Sequence, residues 1–138
     1  MTKRKIYITE HDINRLQESF HITSTMTEKD KQYYERLQEK LDWAEVVEPK
    51  DIPENIVTMN SMILLKDLDT GEEKIFNLVF PDKAKVSPMA LSILAPIGTA
   101  LLGHKEGDTI IWDVPGGTKR YLILEVVYQP ERLGNYEL

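Results

Sequence analysis

Three histidines, His11, His21 and His104, are the first residues to weigh for chemistry in this 138-residue chain. None stands in an H-x-H, H-x-x-x-H or H-E-x-x-H arrangement, so no two imidazoles share the helix or strand face that a metal site needs. The chain has no cysteine, which excludes thiolate zinc sites, iron–sulfur clusters, cysteine nucleophiles and disulfide scaffolds. There is no G-x-S-x-G elbow and no Walker A sequence. Pro115-Gly116-Gly117-Thr118-Lys119-Arg120 has the small residues and cations of an anion loop, but no helix pattern follows it, and a phosphate cradle uses a helix N-terminus. A β-hairpin turn is the reading there. Carboxylate pairs recur at Asp67/Asp69, Glu72/Glu73 and Glu106/Asp108, all in turn-rich stretches where acids serve solvation and local hydrogen bonding. This inventory predicts no catalytic centre, no cofactor and no metal ion.

Charge narrows the partners. The net charge is −6, and acids exceed bases both up to Ile52 and after it. Gripping a nucleic-acid backbone needs clustered Lys and Arg, and Lys3-Arg4-Lys5 is too small a patch, so no specific nucleic-acid binding is expected. A basic protein surface is the more natural counterpart. No apolar run approaches the ~20 residues of a membrane span. The basic start meets Glu10 and Asp12 before any long apolar stretch, so it does not read as a signal peptide, and a cytoplasmic location is expected.

The elements change character near residue 50. Thr9 with Asp12 three residues on has the form of a helix N-cap, and Ile13, Leu16 and Phe20 follow at helical spacing. Thr27-Glu28-Lys29-Asp30 repeats that start, and Tyr34, Leu37, Leu41 and Ala44 continue it toward Val47. The two segments predict an antiparallel helical pair with His21-Ile22-Thr23-Ser24-Thr25-Met26 at its tip. Lys29, Lys31, Glu35, Arg36, Glu39 and Lys40 are assigned to its solvated outer face. Pro49 and Pro53 cannot continue the helix. Beyond them the period is two, predicting strands over 56–68, 73–80, 90–94, 110–114 and 121–128 with one short helix over 96–103. Together they predict an α+β chain with an antiparallel sheet, whose one short helix must cover the apolar face through Leu101 and Leu102. The expected divisions are an N-terminal strand and helical hairpin (1–48), a linker (49–55) and a sheet domain (56–138).

Four segments taken together resemble the C-terminal domain of the Gre transcription elongation factors. They are Asp67-Leu68-Asp69-Thr70-Gly71-Glu72-Glu73, Ala95-Pro96-Ile97-Gly98-Thr99-Ala100-Leu101-Leu102-Gly103, Gly107-Asp108 and Pro115-Gly116-Gly117. Val57-Thr58-Met59-Asn60-Ser61 and Tyr128-Gln129-Pro130-Glu131, with Gly134 and Tyr136, are similar to a short-hairpin branch of that family. The resemblance implies an FKBP-like C-terminal domain preceded by a short coiled coil. It also implies a partner, RNA polymerase, met at the rim of the secondary channel, with Pro96, Ile97, Gly98 and Leu101 as the candidate contact segment. In Gre factors a long coiled coil carries acidic residues to the polymerase site and promotes transcript cleavage. The tip His21 to Met26 carries no carboxylate, and Glu28 and Asp30, two residues apart on a helix, point in different directions. A non-catalytic regulator that competes with Gre factors is therefore the expectation, with no membrane and no cofactor. A Gre-like cleavage stimulator is one alternative. A peptidyl-prolyl isomerase-like fold binding another protein is the other, resting on fold analogy alone.

Overall fold

The computed structural model describes residues 6–19, 28–85 and 87–134, and the hairpin tip, His21 to Met26, lies outside them. The chain opens with β1 (Tyr7–Thr9) and α1 (Glu10–Ser19), followed by α2 (Glu28–Asp42) and β2 (Glu45–Val47). After a 3-10 turn at Pro49–Asp51 come β3 (Met62–Asp67), β4 (Glu73–Val79), β5 (Ala90–Ser92), α3 (Pro96–Leu101), β6 (Thr109–Val114) and β7 (Gly117–Tyr128). A last 3-10 turn spans Pro130–Leu133. The class is α+β, as the change of period predicts. Among the described residues no helix is long and apolar enough to cross a membrane.

Thr9 caps α1 as its type suggests, its Oγ1 accepting the Asp12 N–H at 3.0 Å. α2 does not run on toward Val47. It stops at Asp42, and the β-branched Val46 and Val47 lie in β2, which pairs parallel with β1 in the register Tyr7↔Glu45 to Thr9↔Val47. Its 15 described residues correspond to about 22 Å at 1.5 Å each.

The main sheet has five strands in the order β5-β4-β3-β7-β6. It is mixed rather than antiparallel throughout, because β5 runs parallel to β4, with Asn77 opposite Ala90. Between them the chain crosses over residues 80–89, the kind of detour that parallel neighbours require. The strand expected over 56–68 begins only at Met62. Thr58 and Ser61 bond to each other and to their own backbone (Thr58 N–H to Ser61 Oγ, 3.0 Å), which diverts that stretch from the ladder.

One buried cluster runs through both halves of the chain. Ile63, Leu65, Leu78, Ile110, Ile123 and Val126 supply the sheet side; Leu101 and Leu102 cover them as expected, and Ile8, Leu16, Leu37 and Leu41 join from the N-terminal part. The turn carboxylates do local work. Asp67 accepts the N–H groups of Asp69 (2.8 Å) and Thr70 (3.2 Å), which, with Lys119 nearby, hold its carboxyl below the usual range. Asp69 meets Arg120 at 2.8 Å.

Candidate functional site

The short helix α3 is built by its flanks. Ala95, extended at φ −64 and ψ 144, precedes Pro96, whose fixed φ and missing N–H suit the first helical position. The Thr99 hydroxyl donates to the Ile93 carbonyl at 2.6 Å and pins the helix to the loop after β5. Gly98 is buried where a Cβ would overlap the Ser92 carbonyl oxygen, so only glycine lets the helix sit this low. At the other end Gly103 has φ +84, and a Cβ there would meet Ile6 Cβ at 3.0 Å.

The C-terminal end of α3 receives a cation from the helical hairpin. Lys40, on α2, donates from Nζ to the carbonyls of Thr99 at 2.7 Å and Ala100 at 2.8 Å, with His104 Nδ1 at 3.3 Å. These carbonyls lie at the negative end of the helix, where a cation is favoured. Lys40 was assigned to the solvated face, yet it is only 8 % exposed. It lies three residues after the fully buried Leu37 and directly before Leu41, so its stem turns inward with them. Burial pulls its ammonium down to about 7.

Between α2 and α3 lies a cleft of about 430 Å3. Tyr33, Arg36, Glu39, Lys40 and Trp43 line the α2 side, facing Leu94, Pro96, Thr99, Ala100 and Trp112. Trp112 stacks on Tyr121 with centroids 4.9 Å apart. Phe76, Phe80, Trp112 and Tyr121 all pack on the core, and Trp112 also lines this cleft.

The matches to known proteins bear on this same region. The family model described as "Transcription elongation factor, GreA/GreB, C-term" matches residues 52–128, more than half of the chain. The chain belongs to the GreA/GreB family. "Regulator of nucleoside diphosphate kinase" of Escherichia coli K12 is 44 % identical over 103 residues, covering 74 % of this chain and 76 % of that protein. The transcription elongation factor GreA of Desulfotalea psychrophila is 34 % identical over 65 % of this chain and 56 % of its own length. Among solved structures, the "prokaryotic transcription elongation factor GreA/GreB from Nitrosomonas europaea" superposes with a TM-score of 0.72 at 39 % identity, covering 91 % of this chain and all of that one.

Within this GreA/GreB-family chain the four contact candidates separate by exposure. Pro96 and Ile97 are half-buried, Pro96 at the mouth of the cleft, whereas Gly98 and Leu101 are buried, Leu101 at 0 % exposure. The buried pair sets the height of the other two above the sheet. Past the tip, Glu28 is exposed and lies 3.8 Å from Lys31.

A second polar centre escaped the sequence reading. Asp12, 0 % exposed, accepts the Met59 N–H at 3.0 Å and meets Arg15 at 2.9 Å. Arg15 also lies over the Phe80 ring at 4.8 Å. Glu131 accepts the Thr58 hydroxyl at 2.7 Å. Burial raises both carboxyl groups above their ordinary values; the bonds from Met59 and Arg15 to Asp12 and from Thr58 to Glu131 oppose it. The one available signal was an acid followed by an arginine three residues later on α1; nothing local announces that Glu131 and Thr58 meet. Thr58→Val should lower stability by about 2 kcal/mol, because it leaves a buried carboxylate short of a donor. Urea titration reads this directly, and Thr58→Ser, which keeps the hydroxyl, should recover most of the loss.

Proposed function

We propose that this chain is a cytoplasmic, non-catalytic regulator that binds RNA polymerase near its secondary channel through the sheet–α3 half and competes there with Gre factors. In this reading the sheet half serves as the family's FKBP-like docking domain, and α1 and α2 form a shortened coiled coil. The observation that carries it is the matched α3 segment, in which Gly98, Leu101 and Leu102 are buried while Pro96, Ile97, Thr99 and Ala100 are half-buried, with Pro96, Thr99 and Ala100 lining the cleft. One feature favours occupancy without cleavage: no carboxylate stands between His21 and Met26 in the sequence. An effect on nucleoside diphosphate kinase, as the name of the Escherichia coli relative has it, would follow indirectly from altered transcription.

Capture of core RNA polymerase by the purified chain, with and without a Gre factor, tests the reading. Binding should occur and be displaced by the competitor, and Ile97→Ala should weaken it about tenfold, or about 1.4 kcal/mol. Stalled complexes should show no transcript shortening. Binding that the competitor leaves untouched, or none at micromolar concentration, overturns the proposal; shortening that disappears in Glu28→Gln would make the chain a cleavage stimulator instead.

A further inference from the structure

Both tryptophans of the chain line the same space, the cleft of about 430 Å3 between α2 and α3. They come from different parts of the fold. Trp43, 38 % exposed, stands just past the end of α2, and Trp112 lies on β6, where its ring stacks on Tyr121. Tyr33 adds a third aromatic to the lining. Residues 33, 36, 40 and 43 follow one another at three- and four-residue steps, so they share one side of α2 and of the turn after it. Pro96 contributes apolar surface from α3. Aromatic side chains around a space of this size, left partly open and joined by a few polar groups, have the make-up of a small-molecule site.

The two cations of the cleft stand in opposite situations. Lys40 commits its three donors to the Thr99 and Ala100 carbonyls and to His104, so it joins the two walls without keeping a donor for a ligand. Arg36 is exposed, and among the described residues it has no hydrogen bond and no ion pair, although Glu39 lies three residues further along the same helix. An arginine presents a planar fork of donors that fits a carboxylate or a phosphate through two parallel bonds. The chain carries a net charge of −6, yet this cleft holds two cationic side chains against one acid. Its sign opposes that of the molecule as a whole, which draws an anion to this place rather than elsewhere on the surface.

We propose that the α2–α3 cleft binds a small anion bearing a planar aromatic group, its carboxylate or phosphate held by Arg36 and its ring packed against Trp43 and Trp112. The ring brings the buried contact and the anion fixes the orientation, and a ligand lacking either makes only one of the two. Aromatic carboxylates and nucleoside monophosphates share this chemistry.

An NMR titration of the isotope-labelled chain alone tests it, because the chain gives two indole N–H signals and both arise in this cleft. Indoleacetate and adenosine monophosphate are the probes; indole, adenosine and inorganic phosphate present the ring and the anion separately. At least one probe should move both signals saturably with a Kd below about 1 mM, and the separate ring and anion should bind at least about tenfold more weakly. Which probe binds tells an aromatic carboxylate from a nucleotide as the source. Arg36→Gln, at an exposed position without a partner, should keep the amide spectrum of the parent and weaken binding about tenfold. Lys83→Gln, which removes the same charge from an exposed position outside the cleft, should bind as the parent does. No saturable shift with either probe up to about 5 mM overturns the proposal. So does a bare ring that binds as tightly as its anion, an Arg36→Gln variant that binds as the parent does, or an equal loss in both variants. RNA polymerase is absent from the titration, so its outcome is separate from whether the chain binds that enzyme.

Discussion

Gly98→Ala should destabilise the chain by about 2–4 kcal/mol, opposite in sign to the ~1 kcal/mol gain that alanine gives over glycine in an ordinary helix. The added Cβ would overlap the Ser92 carbonyl oxygen and crowd Ser92 C at 3.1 Å and Ile93 Cα at 3.2 Å. All three are backbone atoms, so no side-chain rotation relieves the contact. The Ser92 carbonyl is itself fixed, accepting the Ala95 N–H. The helix has to rise from β5, and Leu101 and Leu102 rise with it from the sheet they cover. A urea titration should show a lower midpoint with little change in slope. Polymerase capture should weaken beyond what the loss of folded chain accounts for, since the same displacement moves Pro96 and Ile97. A variant as stable as the parent would mean that α3 does not depend on this close approach.

How much of this was legible in the sequence depends on how local the cause is. Thr9 and Asp12 announce the start of α1 because an N-cap is a contact three residues long, and Pro96 and Gly103 bracket α3 for the same reason. Leu101 and Leu102 were assigned to the core because a single short helix had one apolar face to cover. The parallel placement of β5 was not legible: three residues carry no sign of direction, which depends on how the chain from Phe80 to Met89 turns. Nor was the end of α2, where Ala44 and Val47 continue a helical spacing while the β-branched pair Val46–Val47 is drawn into the ladder by β1. At the candidate site the sequence groups Pro96, Ile97, Gly98 and Leu101 as contact candidates while also placing Leu101 in the core; what no local signal announces is that Gly98 is buried against the Ser92 carbonyl of the strand beneath it. Lys40 was misassigned because a lysine among charged neighbours on a helix normally faces water, and its true partners stand 59 and 60 positions further along the chain.

That lysine gives the second large effect, a pH dependence with a definite sign. Burial lowers the Lys40 value from 10.5 to about 7 in the folded chain, so between those limits the unfolded chain holds a proton that the folded one has released. The state binding more protons is disfavoured as pH rises, so folding stability should increase from about pH 7 toward pH 10. Below the folded value both states are protonated, and the penalty of burying the ammonium is present in full. The full shift corresponds to about 5 kcal/mol. The Thr99 and Ala100 carbonyls at the end of α3 hold part of the charge in place, so a rise of about 2 kcal/mol is expected. His104 fits either protonation state: its ring nitrogen accepts from an ammonium and, in the other tautomer, donates to a neutral amine. Lys40→Met should abolish the rise. The difference between the two stability curves isolates this group, since the two proteins differ at no other residue. At pH 6 the methionine variant loses three hydrogen bonds but no longer buries a charge, and the two chains should differ little; by pH 9 the parent should be the more stable. A difference that stays flat across the window would show instead that the α3 carbonyls keep Lys40 charged throughout. The join between hairpin and sheet would then be a permanent ion–dipole anchor, indifferent to pH.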